Sequence, residues 1–536
     1  MLTHVKDYLY KTRWTIVLIT FITFIAHGSI LFSQRFGIDT DIIMQGMHPF
    51  NKNGRPALIW ISNLLEFDWF NLYHVQALTI IFMIFAPISF GYLFYRIGSQ
   101  EKFTNITLLV LALAFIISPF WVTQIYFMNQ CAQVLLAYTL TAISILCAEE
   151  ARKDFRGKWY CFLIALVLMQ FTFGSYQVLT VVYIAVVAAS YLILFFKEKE
   201  TLKKQLQWIG YHAGTFLVGF IIYMITYKVF FSDLDGYLQG HINWEDSGIV
   251  DGILYCLYAI RDSLQCHAPY YTGFYGFFIL LFLVITILQL RRTQKGQRLT
   301  AILYIAVELF LIITPYIFIF IQGGQISDRL QLILPLSQGC ILYLTTLFLS
   351  QKDNTKLSSV FAKIVSILLI CFVCKDTFIN FSYCSRLYYT DQWTFEFDSR
   401  VAAKIYEDIC SVQATHEEDI FYDNVVIVGY PELEYNDTCV RGDTIGLSIY
   451  EFEKSIANPG AKRIFFFMEN LGYPVDIHFT GGELAAYEAY FIDNFAPIIK
   501  DMPSYPAEGY VQYASNEEIG IEYLIVKLGE DWFHVE

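Results

Sequence analysis

Eleven stretches of this chain are apolar over lengths that leave a lipid bilayer as their natural solvent. Crossing about 30 Å of hydrocarbon takes roughly 20 apolar residues in a helix. Windows near 14–33, 73–95, 104–122, 130–148, 159–174, 176–196, 208–230, 272–290, 300–321, 331–350 and 359–379 meet or approach that length. Only 16% of the residues are charged, against about 25% in soluble domains, and the mean hydropathy is +0.47. An ordinary soluble enzyme is therefore excluded. Helices satisfy their own backbone groups, as a lipid environment demands, so the sequence predicts an α-helical polytopic membrane protein with about 11 transmembrane helices. The first window has no small-residue cleavage site before Gln34, and further spans follow it. It reads as a retained helix rather than a secretion signal.

Charge divides the chain in two. Residues 1–379 carry 27 Lys and Arg against 21 Asp and Glu, a surplus of +6, whereas residues 380–536 carry 9 against 28, or −19. This step predicts a transmembrane domain over 1–379 and a small acidic domain over 380–536. The acidic part repels phosphate and argues against a nucleic-acid partner. Orientation follows from basic residues in the connections, which concentrate on the cytoplasmic side. One alternating set holds nineteen, from Lys6, Lys11 and Arg13 to Lys352 and Lys356; the other holds Arg35, Lys52, Arg55, Arg261 and Arg329. The prediction is N-terminus inside and, after an odd number of spans, an extracytoplasmic C-terminal domain.

That domain has α/β patterning. A helix is expected over 394–412 from the spacing of Val401, Ala402, Ile405 and Ile409. Strands are expected at 424–429, 463–467 and 523–527, and a second helix at 482–492. The eleven cysteines give no disulfide framework: their number is odd and their spacing irregular. Cys371 and Cys374 form a CxxC inside an apolar window, poor surroundings for redox or zinc chemistry. Cys256 with Cys266, or Cys410 with Cys439, could pair outside the membrane.

Ionisable groups are costly at membrane depth, which makes those beside the spans the first candidates for chemistry. The densest set follows the first span: Arg35-Phe-Gly-Ile-Asp39-Thr40-Asp41, then Asn53-Gly54-Arg55. Three readings compete. The residues form a solvated loop, or Asp39-Thr40-Asp41 is the metal-binding Asp-x-Asp of nucleotide-sugar transferases, or an aspartate acts as general base toward a lipid-borne donor. The second needs a nucleotide sugar, which is made in the cytoplasm, on the side opposite this loop. Composition does not choose between the first and the third.

The stretch "FGIDTD…NGRPALIWISNLLE" resembles the first outer loop of the GtrII-type glucosyltransferases, bacterial polytopic enzymes of the broader GT-C class. "GSYQ" at Gly174–Gln177 and "SDRL" at Ser327–Leu330 also fit, as do Tyr389–Asp391, Phe395–Asp398 and Ala402–Ile405. The sequence departs from the family pattern at Pro56, where an aromatic is more usual, and at Asp41, where the second acid is usually Glu. The resemblance implies a GT-C-like bundle in the bacterial cytoplasmic membrane. It also implies transfer of a sugar, commonly glucose, from a polyprenyl-phosphate-linked donor to a cell-surface glycan acceptor on the outer face, as in O-antigen or cell-wall polysaccharide modification.

The expected transfer inverts the anomeric carbon and requires no metal or cofactor. Asp39 takes the place of the general base, with Asp41 as helper or substitute. Arg55, Arg329 or Arg35 would neutralise the leaving phosphate, and Tyr176 and Gln177 would bond the donor sugar or phosphate. Plainer roles are available: Tyr176 as an interfacial anchor, Arg329 as the surface partner of Asp328, and Gln124, Asn129 and Gln130 as ordinary turn residues. The long segment 231–271, with Asp233, Asp235, Tyr237, His241, Trp244, Asp246 and His267, reads as a membrane-surface helix or as a lid over the donor. Glu308 lies inside the ninth window, where a polar partner is expected for it. A transporter or flippase of lipid-linked sugars is the rival from another class, and a non-catalytic scaffold for glycan assembly is a second. The first predicts midplane charges in two corresponding halves, and only Glu308 offers one.

Overall fold

The computed structural model describes residues 2–33, 35–37, 40, 44, 55–64, 72–98, 105–196, 200–230, 244–265, 273–293, 298–323, 328–350, 356–415, 425–452, 459–475, 496–516 and 521–530. The chain divides into two compact units. One is Met1–Ser33 with His48–Ser385; the other is Gln34–Met47 with Arg386–Glu536.

The first unit is helical. It comprises α1 (Leu2–His27), α2 (Pro56–Leu64), α3 (Leu72–Ile97), α4 (Asn105–Ile116), α5 (Phe120–Tyr126), α6 (Met128–Lys153), α7 (Phe155–Ser175) and α8 (Leu179–Phe195). Then come α9 (Leu202–Phe230), α10 (Trp244–Gln265), α11 (Tyr275–Thr293), α12 (Arg298–Ile313), α13 (Ile317–Gln322) and α14 (Ile333–Leu349), and the unit closes with the first part of α15 (Lys356–Ala414). Among the described residues, seven helices are long and apolar enough to cross a membrane: Thr3–Leu31, Tyr73–Ile97, Gln130–Lys153, Phe155–Ser175, Leu202–Val229, Arg298–Gln322 and Val360–Ala414. Large apolar side chains such as Leu217, Ile221 and Ile225 stand exposed at helical spacing, as a lipid-facing surface requires.

The window at 104–122 is not one straight helix. α4 and α5 meet at a bend of 53°, because Pro119 disfavours a helical conformation at Ser118. Leu179–Phe195, Tyr275–Leu290 and Ile333–Leu349 are apolar but shorter.

Polar groups inside this unit are mostly bonded. At one end of α6, Glu149 accepts both Nε and Nη2 of Arg152 at 2.8 Å and the Trp208 indole at 3.2 Å, with His212 Nε2 at 3.3 Å. Beside it, Arg96 and Lys158 both bind Glu150. Asp376 on α15 accepts the Phe274 backbone N–H at 2.9 Å, the Gln338 amide at 3.0 Å and the Asn380 amide at 3.2 Å, so it caps the start of α11. Glu308 differs. It is fully buried, and neither carboxyl oxygen has a hydrogen-bond partner among the described residues. The bonded partner expected for it is not found, although the Thr286 hydroxyl is its polar neighbour.

The second unit is built on the remainder of α15, which presents Val401, Ala402, Ile405 and Ile409 as one buried stripe. Against it pack β1 (Val425–Val428), α16 (Ile449–Phe452), α17 (Pro459–Asn470), β2 (Val511–Asn516) and β3 (Ile521–Lys527). The sheet order is β1-β3-β2, with β1 parallel and β2 antiparallel to β3. Val425 registers with Leu524, and Val511 with Val526.

One strand expectation is overturned: 463–467 lies in α17. Ile464, Phe465, Phe467 and Met468 are buried, a helical grouping that a short continuous apolar run conceals. Pro459 opens this helix. Gly472, at φ 87°, closes it, with the Tyr473 N–H on Met468 O and its own N–H on Glu469 O, both at 2.9 Å. β2 was not anticipated, since its apolar positions are few. The helix expected at 482–492 lies outside the described residues.

Candidate functional site

The first unit gathers several of the sequence candidates around an elbow between α5 and α6. The chain breaks at Phe127 (φ −84°, ψ 70°), whose N–H is bonded to Gln124 O. Below the break, Trp121 packs between Phe115 and Tyr138, with ring centroids at 4.9 and 5.4 Å. Its indole N–H donates to Phe115 O, while the Tyr138 hydroxyl donates to Leu332 O. This aromatic base fixes the elbow to α4 and to the start of α14.

Arg55 reaches the elbow from the residue just ahead of α2. Its Nη1 donates to Gln130 Oε1 at 2.6 Å, and its guanidinium lies 4.6 Å from the Tyr176 ring centroid. Gly174 makes this approach possible: a Cβ there would meet Pro56 Cγ and Ala57 Cβ at 3.2 Å and the Ala57 nitrogen at 3.3 Å. The glycine of "GSYQ" thus lets α2 lie directly on α7. Tyr176 is buried between α7 and α8, and the Gln177 side chain reaches the Tyr223 hydroxyl on α9.

Arg329, in the short turn Asp328–Leu330, comes from another side and rests 4.5 Å from the Phe127 ring centroid. Two guanidinium groups are therefore held by residues 127 and 130, within one turn. Neither has a carboxylate partner among the described residues. Cations set on aromatic faces and left without a counter-charge are suited to take an anion, and the guanidinium fork matches phosphate.

Arg35 is placed differently, in the second unit. It is 3% exposed, its Nη1 donates to Asp391 of α15, and its guanidinium lies 4.9 Å from the Tyr388 ring centroid. Its charge is met inside the protein, which sets it apart from Arg55 and Arg329. The next residue, Phe36, stacks edge-on against Phe395 and Phe467 at 5.6 and 5.9 Å. Arg35 and Phe36 are thereby held against α15 and α17. Asp39 and Asp41 themselves lie outside the described residues. So do Asp233, Asp235, Tyr237, His241 and His267 and the side chains of Trp244 and Asp246. What the structure describes of that long segment is α10, packed through Cys256 on Tyr316 and Ile319.

Two carboxylates of the "Tyr389…Asp398" stretch gain partners. Asp391 takes Arg35; Asp398 accepts the Ser448 hydroxyl at 2.6 Å and the Ile449 N–H at 2.9 Å, holding the start of α16. Sequence reasoning missed Asp376, two of whose three donors come from distant segments, and treated Gln124 and Gln130 as turn residues. The signal available for Gln130 was its position in a turn on the same predicted side as Arg55 and Arg329. No group of three or more His, Cys, Asp or Glu suited to a metal occurs among the described residues.

Comparison with known proteins finds no match among curated proteins and none among solved structures. A family model, Glucosyl transferase GtrII, matches residues 28–335. That match covers more than half of the chain and takes in Arg55, the α5–α6 elbow, Tyr176, Gln177 and Arg329: the protein belongs to the GtrII glucosyl transferase family.

Proposed function

We propose that this glucosyltransferase works on the outer face of the bacterial cytoplasmic membrane, moving glucose from a polyprenyl-phosphate donor to a cell-surface glycan, with inversion. The observation that carries the reading is the pair Arg55 and Arg329, both without a carboxylate partner among the described residues and both fixed at the α5–α6 elbow. The acceptor hydroxyl oxygen attacks the anomeric carbon as the bond from that carbon to the phosphate oxygen breaks. Asp39 takes the hydroxyl proton, with Asp41 assisting or substituting, and the polyprenyl phosphate leaves as an anion. Arg55 and Arg329 receive the charge that grows on that phosphate, the usual means of stabilising such a transition state. Tyr176 and Gln177 line the donor. Arg35 serves the reaction by anchoring the loop that carries Asp39.

A membrane-borne donor suits the outer face, where no cytoplasmic nucleotide sugar is available. Support for the orientation, with N-terminus inside and C-terminal domain outside, comes from the basic cluster Arg96, Arg152, Lys153 and Lys158 at the opposite end of α3 and α6 from the elbow. Eleven crossings follow if the bent pair and the three shorter apolar helices also span.

The test uses membranes supplied with radiolabelled polyprenyl-phosphate glucose and an acceptor glycan. Asp39→Asn or Asp41→Asn is expected to lose transfer while inserting normally, and Arg55→Gln and Arg329→Gln to weaken donor use. Wild-type transfer by both aspartate variants would refute the assignment of the base. Transfer from a nucleotide sugar in place of the lipid would refute the donor.

A further inference from the structure

Two glutamines at the elbow are buried without internal hydrogen bonds. Gln124 on α5 is fully buried, and Gln76 on α3 is 2% exposed. In both, neither the amide nitrogen nor the amide oxygen has a partner among the described residues. The Nε of Arg55 is buried and unbonded in the same way. Native proteins bond nearly all buried polar atoms, and an unmet amide carries a desolvation cost that no described residue offsets here. Such costs gather where a fold is arranged for a ligand.

Both glutamines lie near the start of α6. The Thr79 hydroxyl lies against the Cys131 thiol, and Arg96 pairs with Glu150, so α3 and α6 run side by side in the same direction. That register sets Gln76 level with Met128, the first residue of α6, and Gln124 precedes that start, its carbonyl accepting the Phe127 N–H. Around the same elbow stand Arg55, through Gln130, and Arg329, on Phe127.

We infer that Gln124 and Gln76 bind the hydroxyl groups of the donor's sugar ring and set the preference among sugars. An amide offers a donor and an acceptor side by side, which matches two neighbouring hydroxyls of a pyranose. The inference rests on the glucosyltransferase reading and adds to it the residues that recognise the sugar, as distinct from the arginines that meet the phosphate.

The test measures binding of three probes to the purified full-length protein in detergent: polyprenyl phosphate, polyprenyl-phosphate glucose and polyprenyl-phosphate galactose. Wild type is expected to bind the glucose lipid roughly tenfold or more tightly than the bare phosphate and to discriminate against the epimer, since polar sites reject ligands that leave them unpaired. Gln124→Leu is expected to bring the glucose lipid to within about twofold of bare phosphate, leave the affinity for bare phosphate unchanged, and raise the melting temperature of the free protein. Gln76→Leu moves in the same direction. Gln124→Met fills the same volume without a polar end and supplies the measurement where the leucine variant does not fold. Retention of the glucose and epimer preferences by these variants overturns the inference and leaves the glucosyltransferase reading standing. Failure of wild type to bind any of the three lipids overturns both.

Discussion

The Arg35–Asp391 pair makes the hydrophilic second unit depend on one buried charge contact, and its removal has a calculable effect. Both residues are at most 5% exposed. Replacing Arg35 by Leu leaves the Asp391 carboxylate buried without its cation; replacing Asp391 by Leu strands the guanidinium. Either loss is expected to cost about 3–5 kcal/mol, the usual range for breaking a buried pair from one side. At about 2–4 °C per kcal/mol for a domain of 150–250 residues, the second unit should melt roughly 6–20 °C lower. The double variant Arg35→Leu with Asp391→Leu removes both charges together and should be less destabilised than either single variant. Detergent-solubilised full-length protein is heated, briefly exposed to protease and blotted for the C-terminal region, with each variant compared at a fixed heating rate. A double variant that loses as much as the two singles added together would show that the two residues are not energetically coupled, and the anchoring role would fall. The single variants are also expected to lose sugar transfer, although neither residue belongs to the proposed donor contacts.

Three further outcomes follow from packing and hydrogen bonding. Gly174→Val places a branched side chain against the Ala57 backbone nitrogen, so α2 is displaced and transfer should fall at least tenfold, with inserted protein still detected in membranes. Gly273→Ala meets a positive φ of 115° and a Cβ position 1.6 Å from Asp376 Oδ1; its yield of monodisperse protein in size-exclusion chromatography should drop sharply. Asp398→Ala removes the acceptor for Ser448 and Ile449 and should lower the stability of the second unit by about 1–3 kcal/mol, measured by the same protease assay.

The apolar helices were legible because a helix that crosses lipid has to be a long apolar run; of the eleven windows, seven fall on helices long and apolar enough to cross among the described residues, and the others on a bent pair or shorter apolar helices. The bend at Pro119 was legible in principle from the residue type but not in its angle. The second unit was harder to read. Residues 463–467 are Arg-Ile-Phe-Phe-Phe, a run that fits a buried strand or one turn and a half of buried helix equally well, and only the Pro459 and Gly472 boundaries distinguish them. Arg55, Tyr176 and Arg329 could be nominated from their short motifs, yet their meeting at Phe127 and Gln130 depends on tertiary packing. Arg35 carried the same residue type and side as Arg55, and its different placement came from an aspartate 356 positions away. Gln124 shows the limit most clearly: what singles it out is the lack of a bonding partner among the described residues, which no sequence pattern records.

That separation of 356 residues also fixes an order of events during biosynthesis. Arg35 emerges from the ribosome near the start of translation, and Asp391 appears only after all the apolar windows have been made. At roughly 5–20 residues per second, the guanidinium waits on the order of 20–70 s for its carboxylate. Through that interval the guanidinium has no carboxylate, and a nascent chain halted before Asp391 would carry every apolar window while Arg35 stayed unpaired with it. Synthesis of α15 is thus the step that supplies the carboxylate on which Arg35 rests.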